Sequence, residues 1–160
     1  MPVVSNTSPI LNLAIINQLD LLRQQFGQIV IPPMVLTELK PDEDRPGSEM
    51  IRSAVAAGWI QVASVDNSPF VQLLRQTLDA GESEAIALAL ERAAEWTLLD
   101  ERDARKTAKS LGLQVTGVLG ILISAKQSGK LASLKPPLDA LSKKAGFWIA
   151  PSLLERILKD

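Results

Sequence analysis

Short, mainly apolar runs alternate with longer segments of helical period, and this pattern most constrains what the chain can fold into. Val3-Val4, Gln28 to Ile31, Trp59 to Ala63, Thr97 to Leu99 and Leu113 to Val115 are too short for helices, and each precedes a stretch with helical spacing. Parallel strands are joined through helices and lie buried on both faces, so they read as continuous apolar runs. The expectation is therefore an α/β fold: a central parallel sheet between two helical layers, three layers in all. No repeat, low-complexity segment or linker divides the 160 residues, so residues 1–160 are read as one domain.

The helical segments carry their own punctuation. Ile10 to Phe26 keeps helical spacing but is interrupted near Asn17 and closed by Gly27, and Ser8-Pro9 reads as its cap and first turn. Further helices are expected at 34–40, 48–57, 68–78, 82–94, 103–111, 117–128, 136–144 and 151–158. Pro41 to Gly47 is polar and bounded by prolines, which marks a loop.

Composition enters through what is missing. The chain has no His, Cys or Tyr. Imidazole bases, thiol nucleophiles, Cys/His zinc sites, phenolic acids and disulfides are all excluded. Chemistry is left to carboxylates, Ser/Thr, Lys/Arg and hard metal ions held by oxygen. The net charge of −1 supplies no global field for nucleic acid, so any basic surface must be local. The first residues carry no basic leader, and no apolar run approaches the roughly 20 residues of a membrane span, so a soluble, cytoplasmic protein is expected.

Residues 81–105, GESEAIALALERAAEWTLLDERDAR, concentrate the remaining chemistry. Ligands of open parallel sheets bind beyond the carboxyl ends of the strands. Asn6 follows the first strand and Asp100 follows the strand at 97–99, so both fall on one edge. Glu82 and Glu84, two apart at a helix start, point in nearly opposite directions, one to the site and one to its support. Each residue has a plainer reading. Asp100 reads as a helix cap, Glu38 as a solvated helix face and Asn6 as an Asx-turn, while Asp79 and Glu82 read as a capping box. Acids gathered on one edge repel unless a cation joins them, and Mg²⁺ or Mn²⁺ suits such oxygens and supports phosphodiester hydrolysis without histidine. Arg102, Arg105 and Lys109 share helical spacing, with Lys106 beside them, and can form a basic face toward a nucleic-acid backbone or a solvated one.

The segments VVSNTSPILNL, LDLLRQQFGQIVIPPMVLTEL, GESEAIALAL, LLDERDARKTAKSLGLQVTGVLGIL and LKPPLDALSKKAGFWIAPSLLERIL, in that order, resemble the PIN domain family. These are small metal-dependent ribonucleases that include the toxins of bacterial toxin–antitoxin pairs, and the likeness is strongest to an uncharacterised PIN-like subfamily with a GExEA signature. The resemblance implies a three-layer α/β/α fold, Mg²⁺ or Mn²⁺ as cofactor, RNA as substrate, a homodimer and a small antitoxin partner. By position it carries the family's four acids to Asn6, Glu38, the Glu82-Ser83-Glu84 segment with Glu84 favoured, and Asp100. Thr7 or Ser8 matches its hydroxyl residue, and the resemblance implies that both contact the substrate, with Arg102 and Arg105. Asn6 is a departure, an amide where the family has an acid. The resemblance thus implies a metal-dependent ribonuclease with Glu38, Glu84 and Asp100 as ligands, Glu82 as a further candidate and Asn6 positioning a water. The alternative is a PIN-like module that binds RNA or a protein without cleaving. A phospho-acceptor domain fits less well, because Ser5-Asn6 stands where such a fold needs an acidic pair.

Overall fold

The computed structural model describes residues 1–159. Five parallel strands form one sheet: β1 (Val3–Ser5), β2 (Ile29–Ile31), β3 (Ile60–Val62), β4 (Trp96–Leu98) and β5 (Val115–Thr116), in the order β3-β2-β1-β4-β5. The order reverses direction at β1, where one half of the chain winds outward through β2 and β3 and the other through β4 and β5. The edge beyond β1 and β4 is therefore the switch point at which such sheets bind ligands.

Alternate residues of each strand face opposite layers. Val3, Ile29, Ile31, Ile60 and Leu98 join the larger core. It is closed by α1 (Thr7–Ile15), α2 (Asp20–Phe26), α4 (Ser48–Ala56), α8 (Val118–Gln127), α9 (Lys135–Lys144) and α10 (Pro151–Lys159). Val4 and Leu99 turn the other way, onto two smaller clusters beneath α5 (Ser68–Leu74), α6 (Ala80–Glu91) and α7 (Arg102–Ser110). The remaining helix, α3 (Pro33–Leu39), leaves β2 and packs against both α1 and α6 at the rim. No helix of the described residues is long and apolar enough to cross a membrane.

Several local expectations shift. The first helix begins at Thr7 with Asn6 in the cap position, two residues before the predicted cap at Ser8. Pro9 tolerates either frame, because the first-turn N–H groups of a helix have no internal partner. The break near Asn17 is real: Asn17 takes a left-handed φ of 63° and separates α1 from α2. The helix expected to run to Leu78 ends at Leu74, and β5 begins at Val115, not Leu113.

The start of α6 is fixed by a reciprocal cap. Glu82 N donates to Asp79 Oδ1 at 2.7 Å, and Asp79 N donates to Glu82 Oε1 at 3.1 Å. Asp79→Ala removes one half of it and is expected to lower stability by about 1 kcal/mol. Urea unfolding should show a lower midpoint with an unchanged slope. An unchanged midpoint would mean that packing alone holds the helix start.

Candidate active site

The register Ser5↔Leu98 sets the ends of β1 and β4 side by side, and Asn6 N donates to Leu98 O at 3.0 Å. Asn6 and Asp100 therefore leave the sheet on the same edge, as the strand order requires. The first turn of α1 then reaches two acids from distant parts of the chain. Thr7 Oγ1 donates to Glu38 Oε1 at 2.6 Å, and Ser8 Oγ donates to Asp100 Oδ2 at 2.8 Å. Asn12, one turn further along α1, donates its amide to Ser8 Oγ at 3.0 Å and so orients that hydroxyl. Val118 N, at the start of α8, donates to Asp100 Oδ1 at 2.8 Å. Thr7 and Ser8, expected at the substrate, are thus engaged with the carboxylates themselves.

Two glycines make room for these acids. A Cβ on Gly81 would overlap Glu38 Oε1 and stand 3.2 Å from Asn6 Oδ1. A Cβ on Gly117 would stand 2.5 Å from Asp100 Oδ1 and 2.9 Å from Leu99 O. Gly81 brings the start of α6 against Glu38 and Asn6, so Asn6, Glu38 and Gly81 form one wall of the edge and Ser8, Asp100 and Gly117 the other. Gly81→Ala pushes aside the flexible end of Glu38, and the helix gains the propensity of alanine, about 1 kcal/mol. Stability is therefore expected to hold while metal affinity falls about 10- to 100-fold. Calorimetric titration with Mn²⁺ beside a thermal melt reads both, and an unchanged affinity would remove Glu38 from the site.

The two glutamates of α6 separate as helical spacing requires. Glu84, favoured from the sequence as a ligand, accepts from Met34 N at 3.1 Å and so caps the start of α3. It lines a hollow with Ser64, Ser68 and Arg75 whose walls include none of Asn6, Glu38 and Asp100. Glu82 is buried, and its carboxyl feels the charges of Glu101 and Glu38. The capping box and proximity to the acid edge were rival readings of Glu82, and they hold together in one side chain.

Burial dominates the electrostatics. It pushes the Glu82 carboxyl above the usual range; the Asp79 N–H works against the rise, and the charges of Asp79, Glu101 and Glu38 add to it. Asp100 is also raised, first by burial, although the bonds from Val118 N and Ser8 and the Arg105 guanidinium favour its charged form. Arg105 Nη1 donates to Leu99 O at 2.9 Å, which turns this member of the basic helix inward beside Asp100. Arg102, Lys106 and Lys109 remain exposed.

Among the described residues, two buried side-chain polar atoms lack a partner: Thr97 Oγ1, within the sheet, and Asn6 Oδ1, at its edge. The cap position gives Asn6 an extended backbone (φ −79°, ψ 177°) but no capping bond, which removes the Asx-turn reading. A buried acceptor left unbonded beside the Glu38 carboxylate calls for a donor or a cation. Among the described residues no group of three or more acidic side chains stands close enough to hold an ion by itself. The donors present suit an ion of the Mg²⁺ class, which takes one or two carboxylates and completes its shell with water. Asn12, Gly81, Gly117 and Glu101 were not singled out from the sequence. Only Asn12 carried a signal there, its i+4 spacing from Ser8.

Switch-point topology and acids at the carboxyl edge together define an α/β domain with carboxylates at its switch point. The family model DUF3368, described as a PIN domain, matches residues 2–160, and the chain belongs to the PIN domain family. PIN domains are in general a nuclease fold and typically use divalent metal ions. The structure of a PilT N-terminus domain protein from the hyperthermophilic archaeon Sulfolobus solfataricus P2 is similar in fold. Its TM-score is 0.59 at 24% identity, over 78% of this chain and 93% of that one. A search among curated proteins finds no match.

Proposed function

We propose that this protein is a Mg²⁺- or Mn²⁺-dependent endoribonuclease that hydrolyses phosphodiester bonds at the edge beyond β1 and β4. The observation that carries the reading is the buried, unbonded Asn6 Oδ1 beside the Glu38 carboxylate at the switch point. Glu38, Asp100 and the Asn6 carbonyl oxygen would hold the ion, with Glu82 behind them and Glu84 supporting α3. When bound, such an ion activates a water and offsets the charge that develops on the phosphate. Thr7 and Ser8 each occupy one oxygen of a carboxylate, which fixes the direction of the remaining lone pairs. Arg105 sets a positive charge beside Asp100, where a phosphate oxygen would approach, and exposed Arg102 and Lys109 lie on the same helix to meet the backbone further along.

On the family likeness we extend this reading to a cytoplasmic toxin of a toxin–antitoxin pair, acting as a homodimer restrained by a small antitoxin. The test is cleavage of single-stranded RNA in Mn²⁺, with chelator and Asp100→Ala as controls. Cleavage that survives either control sinks the mechanism. One observation favours a second reading, a PIN-like module that binds RNA or a protein without cleaving: no three acids gather among the described residues, and Asn6 brings no charge. Calorimetry that detects no binding at millimolar Mn²⁺ selects that reading.

A further inference from the structure

On the Asp100 side, the acid edge opens into a hollow of about 290 Å³ lined by Asp100, Arg105, Thr116, Gly117, Phe147 and Leu153. The mechanism uses only its inner rim. Its lining is mixed, combining a carboxylate and a guanidinium with an aromatic ring and aliphatic side chains. Gly117 keeps the passage clear, since a side chain there would run into the Asp100 carboxylate and stand 3.1 Å from Arg105 Nη1. Arg105 makes no ion pair among the described residues, and its one bond is to a carbonyl, so donors of the guanidinium remain for a ligand anion.

The aromatic wall is anchored. Phe147 is half-buried and packs against the main core, and its N–H donates to Leu141 O at 2.9 Å, just past the end of α9. The chain has three Phe, three Trp and no Tyr, yet two of these six rings are adjacent on the short stretch between α9 and α10. The second, Trp148, is 78% exposed. Trp59 is buried and Trp96 partly so, which leaves Trp148 the most exposed of the three Trp.

We propose that this hollow is a nucleobase subsite, in which the base next to the phosphodiester at Asp100 stacks on Phe147 while Arg105 takes an oxygen of the adjoining phosphate. Stacking on an aromatic face with a cation on the backbone is how unpaired nucleotides are held without sequence readout. The subsite takes an unpaired nucleotide, because a base within a duplex cannot offer its face to the ring. The proposal rests on the nuclease reading for its phosphodiester, and binding and cleavage can be read separately.

The test uses the full chain with a fluorescein-labelled single-stranded RNA decamer, followed by anisotropy in chelator so that no metal-dependent cleavage occurs. Phe147→Leu keeps an apolar side chain on the core but removes the ring. It should bind at least about fivefold more weakly, with an unchanged thermal midpoint. Decamers lacking a single base are then scanned along the strand. At one position the loss should weaken wild type by a similar factor and leave Phe147→Leu unaffected. Equal binding by wild type and Phe147→Leu overturns the subsite, as does base removal that weakens both alike. Absence of wild-type binding overturns it too. Binding with this coupling but without Mn²⁺-dependent cleavage upholds the subsite and sinks the nuclease reading instead. A DNA decamer of the same sequence separates the two sources of the base. A parallel loss with DNA upholds a contact to the base, whereas a loss confined to RNA overturns stacking in favour of the ribose 2′-hydroxyl.

Discussion

Asp100→Asn is expected to reduce metal-dependent cleavage at least about a hundredfold and, in the same preparation, to raise the metal-free thermal midpoint at neutral pH by about 2–4 °C. Both effects come from one carboxylate. Asp100 is held by Val118 N and Ser8 at the edge of the sheet, and burial raises its pKa above the ordinary aspartate value. A raised folded-state pKa means that the folded chain binds the proton more tightly than the unfolded one. The group's contribution to stability is then fully present below the unfolded pKa and is lost as pH rises through the folded one. At neutral pH the wild-type chain bears the cost that burial puts on the charged form of this carboxyl, and asparagine does not. The gap between the two midpoints should therefore close as pH falls toward the ordinary aspartate range, near about 3.9. Glu82 is raised in the same sense and stays in both proteins, so its share cancels in the comparison. Melts in chelator across pH 3.5 to 8, beside a cleavage assay in Mn²⁺, decide the matter. A variant that is less stable at neutral pH, or a gap that ignores pH, would show that the bonds from Ser8 and Val118 outweigh burial.

Asn6→Asp is the second large effect, and it runs the opposite way. The amide oxygen is buried and unbonded, with the Glu38 carboxylate near the same point on α6. A negative charge there adds desolvation and repulsion in the metal-free protein, so its midpoint should fall. With an ion present the same charge faces a cation, and Mn²⁺ affinity should rise about tenfold or more as the ligand charge grows. Cleavage should rise with affinity. If the chain is a binding module, the substitution only destabilises, and Mn²⁺ neither rescues the midpoint nor titrates. Thermal melts with and without Mn²⁺ separate these outcomes in one experiment.

The sheet was legible in the sequence because parallel strands, covered on both sides, cannot hide their apolar runs. Val3-Val4 and Ile29 to Ile31 read as strands without knowledge of their partners. Strand ends were less legible, since a partner sets them: β5 spans only Val115–Thr116 because it pairs with Thr97 and Leu98. Asn6, Glu38 and Asp100 could be placed near one edge from strand order and family resemblance. Their fastenings could not, because Thr7 meets Glu38, and Ser8 meets Asp100, across long sequence separations. The backbone N–H that each of Glu82 and Glu84 accepts was not legible either, since one of those, Met34 N, belongs to another helix. Gly81 and Gly117 carried no signal, because the reason for a missing side chain lies in what stands opposite it.

The first turn of α1 ties together acids 31 and 92 residues away along the chain. Such closures come late in folding, because the entropy of the intervening loops is lost before the contacts reward it. Asp100 also needs Val118 N, so the site stays unassembled until α8 has left the ribosome tunnel. A nascent chain stalled before that point carries Thr7, Ser8 and Glu38 but no completed centre. On the proposed nuclease reading, cleavage would thereby be deferred until α8 has been made.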